Sequence, residues 1–518
     1  MGRLVLSLDL GTSSLKVGLF GVDGELRRAA RREQQLFFPP ADRVEQSPAS
    51  TWRALAEAVR EATVGERVED IAAIALSTQR GTVVPLSDQG EPLSNLVVWM
   101  DKRGVPWVDW LQTAIGTERY YTAAGHPLVS YTGVSKVLWF RRESPLWERT
   151  VCIGPPQTLF LRWLGCEDFV CDRSSGTFHF PFDIDRQTWS TSLAACMDVP
   201  LDRLPHLVSS IDIAGQLSAS AAADLGLQAG IPLAVGGGDG QLAALGCGVT
   251  HPGVVMVNIG TAAGVQIYLP SPIRDPRHTL NLAAHAVAGA WEMEGHTQSS
   301  GVALRWFRDE FGEIEQTAER ESGLDAYDAL VAQASNVLPG AEGLLFLPYF
   351  NGSAGPMVDL QIRACILGMS LAHKRAHVIR AVLEGISLEI RWMLDAMLAL
   401  SGEVEEVRLV GGGARNDTWN QMHADILHHP VRILQVPDAA MVGAAMCAAV
   451  AIGEYADLTA AARAFVHPGE RIEPDEARAA VYELVNDRFR EAFRLVSNSG
   501  LFPWLQTAGD PLPAQAVM

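Results

Sequence analysis

Basic residues are scarce in this chain. Its 518 residues carry 41 Lys and Arg against 60 Asp and Glu, a formal charge of −19. A polyanionic partner needs clustered Lys and Arg, so the balance argues against nucleic acid and against anionic membranes. It does not touch a single small anion, which backbone N–H groups at a turn or a helix N-terminus can hold inside an acidic protein. Cysteine is sparse as well: there are seven, an odd number, with no pattern of close pairs. That reads as reduced thiols in a cytoplasmic protein. Cys166 and Cys171 lie five apart with no second pair to complete a metal site, and His126, His179 and His296 show no HxH or HExxH spacing. Long apolar runs are missing too. Residues 439–453 form a charge-free stretch of 15, alanine-rich and shorter than the roughly 20 a spanning helix needs. The N-terminus has no signal-peptide pattern.

Glycine is present in excess, 47 of 518 residues, about 9% against an average near 7%. With 48% apolar and 19% charged residues the composition is that of a globular protein. The length, at about 150 residues per domain, allows three units, and large α/β domains reduce that to two. The opening reads as strand 4–10, the turn Gly11-Thr12-Ser13-Ser14, strand 16–20, a hairpin at Asp23-Gly24, and a returning strand 25–30. A helix over 50–62 follows a Ser47-Pro48 start, then strand 70–77. Residues 104–205 are irregular and aromatic-rich, with helices over 134–142 and 156–164, a helical insertion that shapes a cleft. Strand 231–235 runs into Gly236-Gly237-Gly238-Asp239-Gly240 and helix 241–247.

A second cycle then begins: strand 254–259, the turn Gly260-Thr261, strand 265–269. The two Gly-Thr pairs are 249 positions apart (260 − 11), which points to an internal duplication. A long helix over 375–400, strand 406–410, Gly411-Gly412-Gly413, helix 416–427, strand 431–434 and helix 439–451 complete it. The stretch after residue 501 reads as an extended tail.

Four glycine-rich turns follow strands, at residues 11–12, 236–240, 260–261 and 411–413. Ligands in open α/β sheets bind at the carboxyl ends of strands, and such turns can present N–H groups to phosphate oxygens. Neither the Walker pattern nor the dinucleotide GxGxxG pattern occurs at these turns. Two readings stand for Asp9, inside an apolar strand: a contact to Mg²⁺ beside phosphates, or a cap on the turn. Two stand for Asp239: a general base facing a hydroxyl, or a helix N-cap. Lys16 points to solvent or to phosphate. Thr261 can hold phosphoryl oxygens through its hydroxyl and N–H. Gly412, Gly413 and Asn416 suit a flat nucleoside or a plain strand–helix junction. Gln79, Arg80, Trp99, Asp101 and Arg103 form a polyol-binding wall, or a solvated charge run.

The arrangement resembles the FGGY carbohydrate kinase family over residues 4–455. Leu8-Asp9-Leu10-Gly11-Thr12-Ser13 with Lys16 is similar to the family's N-terminal phosphate motif. Gly237-Gly238-Asp239-Gly240-Gln241 is similar to the motif with the catalytic base, and Gly260-Thr261 to the phosphoryl-binding turn. Gly411-Gly412-Gly413-Ala414-Arg415-Asn416, with Asp438-Ala439-Ala440 and Gly443-Ala444-Ala445, is similar to the adenosine end.

The resemblance implies an α/β fold of two duplicated actin-like (ribonuclease-H-like) domains with a central interdomain cleft. The expected boundaries are an N-terminal substrate-binding domain 1–248, a C-terminal ATP-binding domain 249–500, and a tail 501–518. It implies phosphorylation of a small sugar by ATP with Mg²⁺. Asp239 is then the base and Asp9 organises the metal. Gly11, Thr12, Lys16, Gly260, Thr261, Gly412, Gly413 and Asn416 hold the nucleotide. Gln79, Arg80, Trp99, Asp101 and Arg103 hold the acceptor. A cytoplasmic homodimer is expected on the same basis. Trp99-Met100-Asp101-Lys102-Arg103 resembles the Trp-x-Asp-x-Arg element of xylulokinases. Gln79-Arg80-Gly81-Thr82 replaces their Gln-Met-His-Gly, and Gly81 replaces the acidic residue of the Gln-Arg-Glu of glycerol kinases. A pentulose such as D-xylulose fits best. A kinase for glycerol or another polyol and a non-catalytic actin-like ATP-binding protein are the alternatives.

Overall fold

In the computed structural model of the protein, residues 3–39, 42–402, 404–434 and 438–507 are described. The chain gathers into two compact units. One comprises Met1–Pro252, Tyr268–Met293 and Val436–His467; the other comprises Gly253–Ile267, Glu294–Gln435 and Pro468–Met518.

The first unit is built on a six-stranded sheet ordered Ile213–Gln216, Pro232–Gly238, Ile71–Thr78, Leu4–Leu10, Ser14–Gly21, Leu26–Glu33. Leu4–Leu10 is buried along its whole length, between parallel Ile71–Thr78 and antiparallel Ser14–Gly21. A continuous apolar run is what a strand covered on both faces requires. Leu26–Glu33 ends the sheet with exposed arginines, which blunt its free edge. The helix Pro48–Ala62 starts where the hydroxyl of Ser47 accepts from the N–H of Ser50, with Pro48 in the first turn, and it buries Leu55, Val59 and Ala62.

Pro232–Gly238 carries a bulge: its register on Ile71–Thr78 shifts between Ala234 and Gly237. Gly236 sits there at φ +73°, and a Cβ would lie 1.8 Å from the carbonyl oxygen of Leu76. Only glycine fits that approach. The helix Asp239–Gly246 begins directly at the strand's end.

The second unit repeats the plan. Gly253–Ile259 lies between antiparallel Ala263–Leu269 and parallel Val404–Val410. Val404–Val410 pairs in parallel with Val431–Leu434, which pairs antiparallel with Pro468–Ile472. Counterpart strands follow the same order and the same parallel and antiparallel pattern as in the first unit, so the duplication inferred from two Gly-Thr pairs holds for the sheets. The long helix Arg375–Ser401 precedes Val404–Val410 as Pro48–Ala62 precedes Ile71–Thr78.

The compact units are discontinuous in sequence: Tyr268–Met293 and Val436–His467 cluster with the first. The alanine-rich helix Ala439–Ala451 packs on Asp239–Gly246. A Cβ on Gly443 would fall 2.0 Å from the Leu242 carbonyl oxygen, and one on Gly246 would fall 1.9 Å from that of Ala439. Small residues are there to let two helix backbones meet. Leu501–Thr507 is a helix rather than an extended tail, since Pro503 falls in its first turn, where proline is tolerated. Residues 508–518 lie outside the described ones. Within 104–205 the helices expected over 134–142 and 156–164 are present as Gly133–Glu143 and Pro156–Leu164, and the insertion has its own core of Tyr120, Val137, Leu138, Phe140, Trp147 and Phe180.

Candidate active site

In the first unit the opening strand–turn–strand places Asp9 opposite Lys16 in the antiparallel register. Asp9 is buried. Its Oδ1 accepts from the Ser77 hydroxyl at 2.6 Å, and its Oδ2 lies 3.3 Å from Lys16 Nζ. Lys16 also bonds to Asp438, the residue that caps Ala439–Ala451 by accepting from the N–H groups of Ala440 and Met441. Burial raises the Asp9 carboxyl to about 7. Asp438 and, more weakly, Asp239 push it the same way, against Lys16 and the Ser77 bond. Burial would lower the Lys16 ammonium, but Asp9 and Asp438 outweigh it and hold its pKa above the ordinary value. The Lys16 side chain turns away from solvent to these two carboxylates, a contact the sequence reading did not name.

Asp239 is the first residue of its helix, with Gly238 at the cap position. It is therefore not the N-cap, although its Oδ1 accepts from the N–H of Gly240 at 2.8 Å. Its side chain is 40% exposed and lies 3.2 Å from Arg80 Nε. The Arg80 guanidinium rests on the face of Phe178, 4.4 Å from the ring centroid. A partly exposed carboxylate oriented by an arginine can accept a proton from a hydroxyl.

Gln79 and Trp99 meet at Thr12. The Thr12 hydroxyl donates to Gln79 Oε1 at 2.8 Å and accepts from the Trp99 indole N–H at 3.0 Å. Gln79 is itself held by Gln46 and Thr82. The hydroxyl of Thr12 is thus engaged by Gln79 and Trp99. Gly81 has φ +68°, and a Cβ would sit 2.1 Å from the Tyr131 carbonyl oxygen. Its backbone excludes the acidic side chain that glycerol kinases carry at this point.

Asp101 and Arg103 do not line an open surface. The Asp101 side chain is 0% exposed, and its oxygens accept from Arg103 Nε at 2.8 Å, Arg103 Nη2 at 2.9 Å and the Val44 N–H at 2.7 Å. Arg103 also reaches Glu45 at 2.6 Å and lies over Trp139. This is a buried pair, with the Asp101 oxygens and the Arg103 guanidinium turned to each other and to Val44 and Glu45. Neither residue is a solvated charge.

In the second unit Asn258 occupies the place that Asp9 has in the first, two residues before the Gly-Thr pair, and faces Gly264. Gly260 and Thr261 accept through their carbonyls from the N–H groups of Gly301, Ser300 and Val302, which closes the turn. The Thr261 residue is exposed. Gly411 packs on Asn258, and Gly413 packs on Ile259, where a Cβ would meet Cγ2 at 2.3 Å. A Cβ on Gly412 would meet nothing within 4 Å. Gly412 therefore borders open space and Gly413 shapes the junction behind it. Asn416 caps the helix Asp417–Leu427 and donates to Asp328 at 2.6 Å.

Residue reasoning missed Ser77, Phe178 and Gln241, and did not assign Asp438 to the Lys16 cluster. Gln241 is fully buried, and neither amide atom finds a partner among the described residues. Its one visible signal was its position two residues after Asp239. Among the described residues no group of three or more His, Cys, Asp or Glu is placed to hold a metal directly, and no helix is long and apolar enough to cross a membrane.

A duplicated strand–turn–strand scaffold with an acid–ammonium cluster behind one turn and an arginine-oriented carboxylate at a strand end defines a phosphotransferase acting on a small hydroxyl compound. The sequence models of the FGGY family of carbohydrate kinases match residues 4–246 for its N-terminal domain and 255–452 for its C-terminal domain. The chain belongs to that family and is an ATP-dependent sugar kinase. It is 30% identical to a xylulose kinase of Lactococcus lactis subsp. lactis (95% of this chain, 97% of that protein). It is 26% identical to a gluconokinase of Bacillus licheniformis (96% and 97%). It is 31% identical to a glycerol kinase of Dechloromonas aromatica (93% and 95%). The crystal structure of a ligand-bound xylulose kinase from Lactobacillus acidophilus shares the fold, with a TM-score of 0.89 at 19% identity over 97% of this chain and 100% of that one.

Proposed function

We propose that the acceptor is a pentulose such as D-xylulose, and that Asp239 takes the proton of the hydroxyl that is phosphorylated. The observation that carries the base assignment is the Asp239–Arg80 contact at a strand end, with the carboxylate still partly exposed. Trp99 offers a half-exposed aromatic face, with Gln79 and Arg80 as polar neighbours. In a loose transition state the hydroxyl acidifies as the new bond forms, so an aspartate suffices as the base. Arg80 holds the carboxylate in place, and Thr12 holds Gln79 and Trp99. The donor is ATP, its phosphates on the Gly260-Thr261 turn and its nucleoside at Gly412.

Mg²⁺ fits the first unit's cluster. Asp9 and Asp438 set two carboxylates against the one ammonium of Lys16, while Asp239 is paired with Arg80; burial above all, and then Asp438, raises the Asp9 carboxyl. Asp9 and Asp438 would hold the ion, directly or through water. The bound ion supplies neutralisation of phosphate charge. Removing it with a chelator abolishes turnover, and adding back Mg²⁺ restores it.

A second reading has one specific support. Arg80 stands where xylulokinases carry a neutral residue, and a guanidinium on the acceptor wall suits a carboxylate, as in an aldonic acid. The test is an ADP-release screen with Mg-ATP over D-xylulose, other pentuloses, hexuloses, D-gluconate, glycerol and longer polyols. The highest kcat/KM is expected with D-xylulose. Background rates with xylulose beside turnover of gluconate select the second reading; turnover of glycerol alone overturns both.

A further inference from the structure

Within the first unit lies a cavity of about 360 Å³, lined by none of the residues assigned to acceptor or nucleotide. Its wall includes Arg173, Arg186, Gln187, Ser209, Ser210 and Trp291. None of the acceptor residues Gln79, Arg80, Trp99 or Asp239 contributes to it. Its volume lies within the range of small-molecule sites.

The chemistry of the wall is specific. Arg173 is half-buried, and among the described residues its guanidinium has no ion-pair or hydrogen-bond partner. A partly desolvated cation without a counter-charge is costly, and an anion in the cavity would offset that cost. Arg186 adds a second guanidinium, with only a loose contact to Asp183 at 3.9 Å. The one carboxylate on the wall, Asp185, is already paired with Arg274 at 2.8 Å. Burial pushes His285, which also borders the cavity, down to about 4, so it adds no charge of its own at neutral pH. Hydroxyl and amide groups of Ser209, Ser210 and Gln187 and the indole face of Trp291 complete a lining that can hold a sugar ring. The polar atoms are on rigid supports: Ser210 donates to the buried Asp172 at 3.1 Å, and the Trp291 indole N–H donates to the Ile184 carbonyl at 2.7 Å. In a chain of net charge −19, two arginines converging on a cavity are a local exception.

We propose that this cavity is a second binding site, for a small polyhydroxylated anion: a sugar carrying a phosphate ester or a carboxylate. Isothermal titration calorimetry on the full chain without nucleotide tests it, with glucose 6-phosphate, glucuronate and neutral glucose as probes. One or both anions bind saturably with a stoichiometry of one, and glucose does not. Binding of glucose 6-phosphate alone identifies a phosphate-ester site, and of glucuronate alone a carboxylate site. Arg173→Gln weakens the bound anion about tenfold or more, and Arg186→Gln, whose side chain is exposed and cannot disturb folding, weakens it about two- to fivefold. Trp99→Ala, on the acceptor wall, leaves the affinity unchanged. Four results overturn the proposal: no saturable anion binding, equal binding of glucose, unchanged affinity in Arg173→Gln, or loss of binding in Trp99→Ala. Where Arg173→Gln fails to fold, the Arg186→Gln result decides in its place.

Discussion

The two Gly-Thr turns sit on the same scaffold and do different work. Before the first stands Asp9, buried and facing Lys16; before the second stands Asn258, exposed and facing Gly264. One duplication has kept the strand–turn–strand geometry and separated the chemistry. The first unit gathers carboxylates where a cation and a reacting hydroxyl would be handled. The second keeps its turn neutral, as a site for the negative phosphates of ATP should be. The units also differ in how they treat buried charge. In the first, the Asp9 cluster has a negative surplus. In the second, Arg380, Glu384 and Tyr482 close on one another, with Arg380 Nε to Glu384 at 2.6 Å and Tyr482 OH to Glu384 at 2.8 Å. The surplus fits a function, whereas the closed triad fits a support.

The comparison predicts effects of graded size. Asp239→Asn removes the base from the unit that concentrates carboxylates, and lowers kcat by about 10²–10⁴ while Tm and ATP binding stay near wild type. ADP release and calorimetry check this; near-normal turnover would sink the mechanism. Arg380→Met acts oppositely. It strands Glu384 and destabilises the protein by roughly 3–5 kcal/mol in denaturant unfolding, while the activity per folded molecule is retained. Asn258→Asp makes the second turn imitate the first. Its expected result is about a tenfold rise in KM for ATP, the equivalent of roughly 1.4 kcal/mol of like-charge repulsion, with KM for the acceptor unmoved. An unchanged KM for ATP would end the argument for a neutral turn.

Thr12→Val and Thr261→Val sharpen the same contrast on a smaller scale. Each loses a hydroxyl worth about 0.5–1.5 kcal/mol, a two- to tenfold effect. For Thr12 it appears in KM for the acceptor, through Gln79 and Trp99. For Thr261 it appears in the ATP-dependent parameters. The smallest effect concerns pH. Burial raises Glu389, on the long helix of the second unit, to about 8. Native protein therefore keeps a proton that the unfolded chain releases above its ordinary value near 4.5. The associated stability is full below that value and is lost as pH rises through about 8. Glu389→Gln has no such proton to lose, so its Tm relative to wild type climbs across this window in thermal melts.

Much of the fold was legible because it rests on local rules. Apolar runs ending in Gly-Thr or Gly-Gly mark buried strands and their turns, and Ser47-Pro48 marks a helix start. The boundaries and the burial of helix 439–451 follow from its sequence, but its partner does not: Gly443 and Gly246 allow close contact with Asp239–Gly246, far away in sequence. The burial of Asp101 and Arg103 was hidden for a related reason. Residue type shows that a charge is present, and only the surrounding chain shows whether it meets a ligand or another charge. The role of Asp438 could not be seen beside Lys16, since 422 positions separate them.

Composition and pattern alone were enough to establish an acidic α/β chain with two matching strand–turn units and a short set of acidic and glycine positions, because those follow from neighbours along the backbone. Folding brought Lys16 to Asp438, turned the Thr12 hydroxyl toward Trp99, and buried Asp101 under its arginine. It also left Arg173 facing a cavity without a partner. Each of these depends on which side chains from distant segments share a low-dielectric space, and there burial and pairing, not residue type, set what a charge can do.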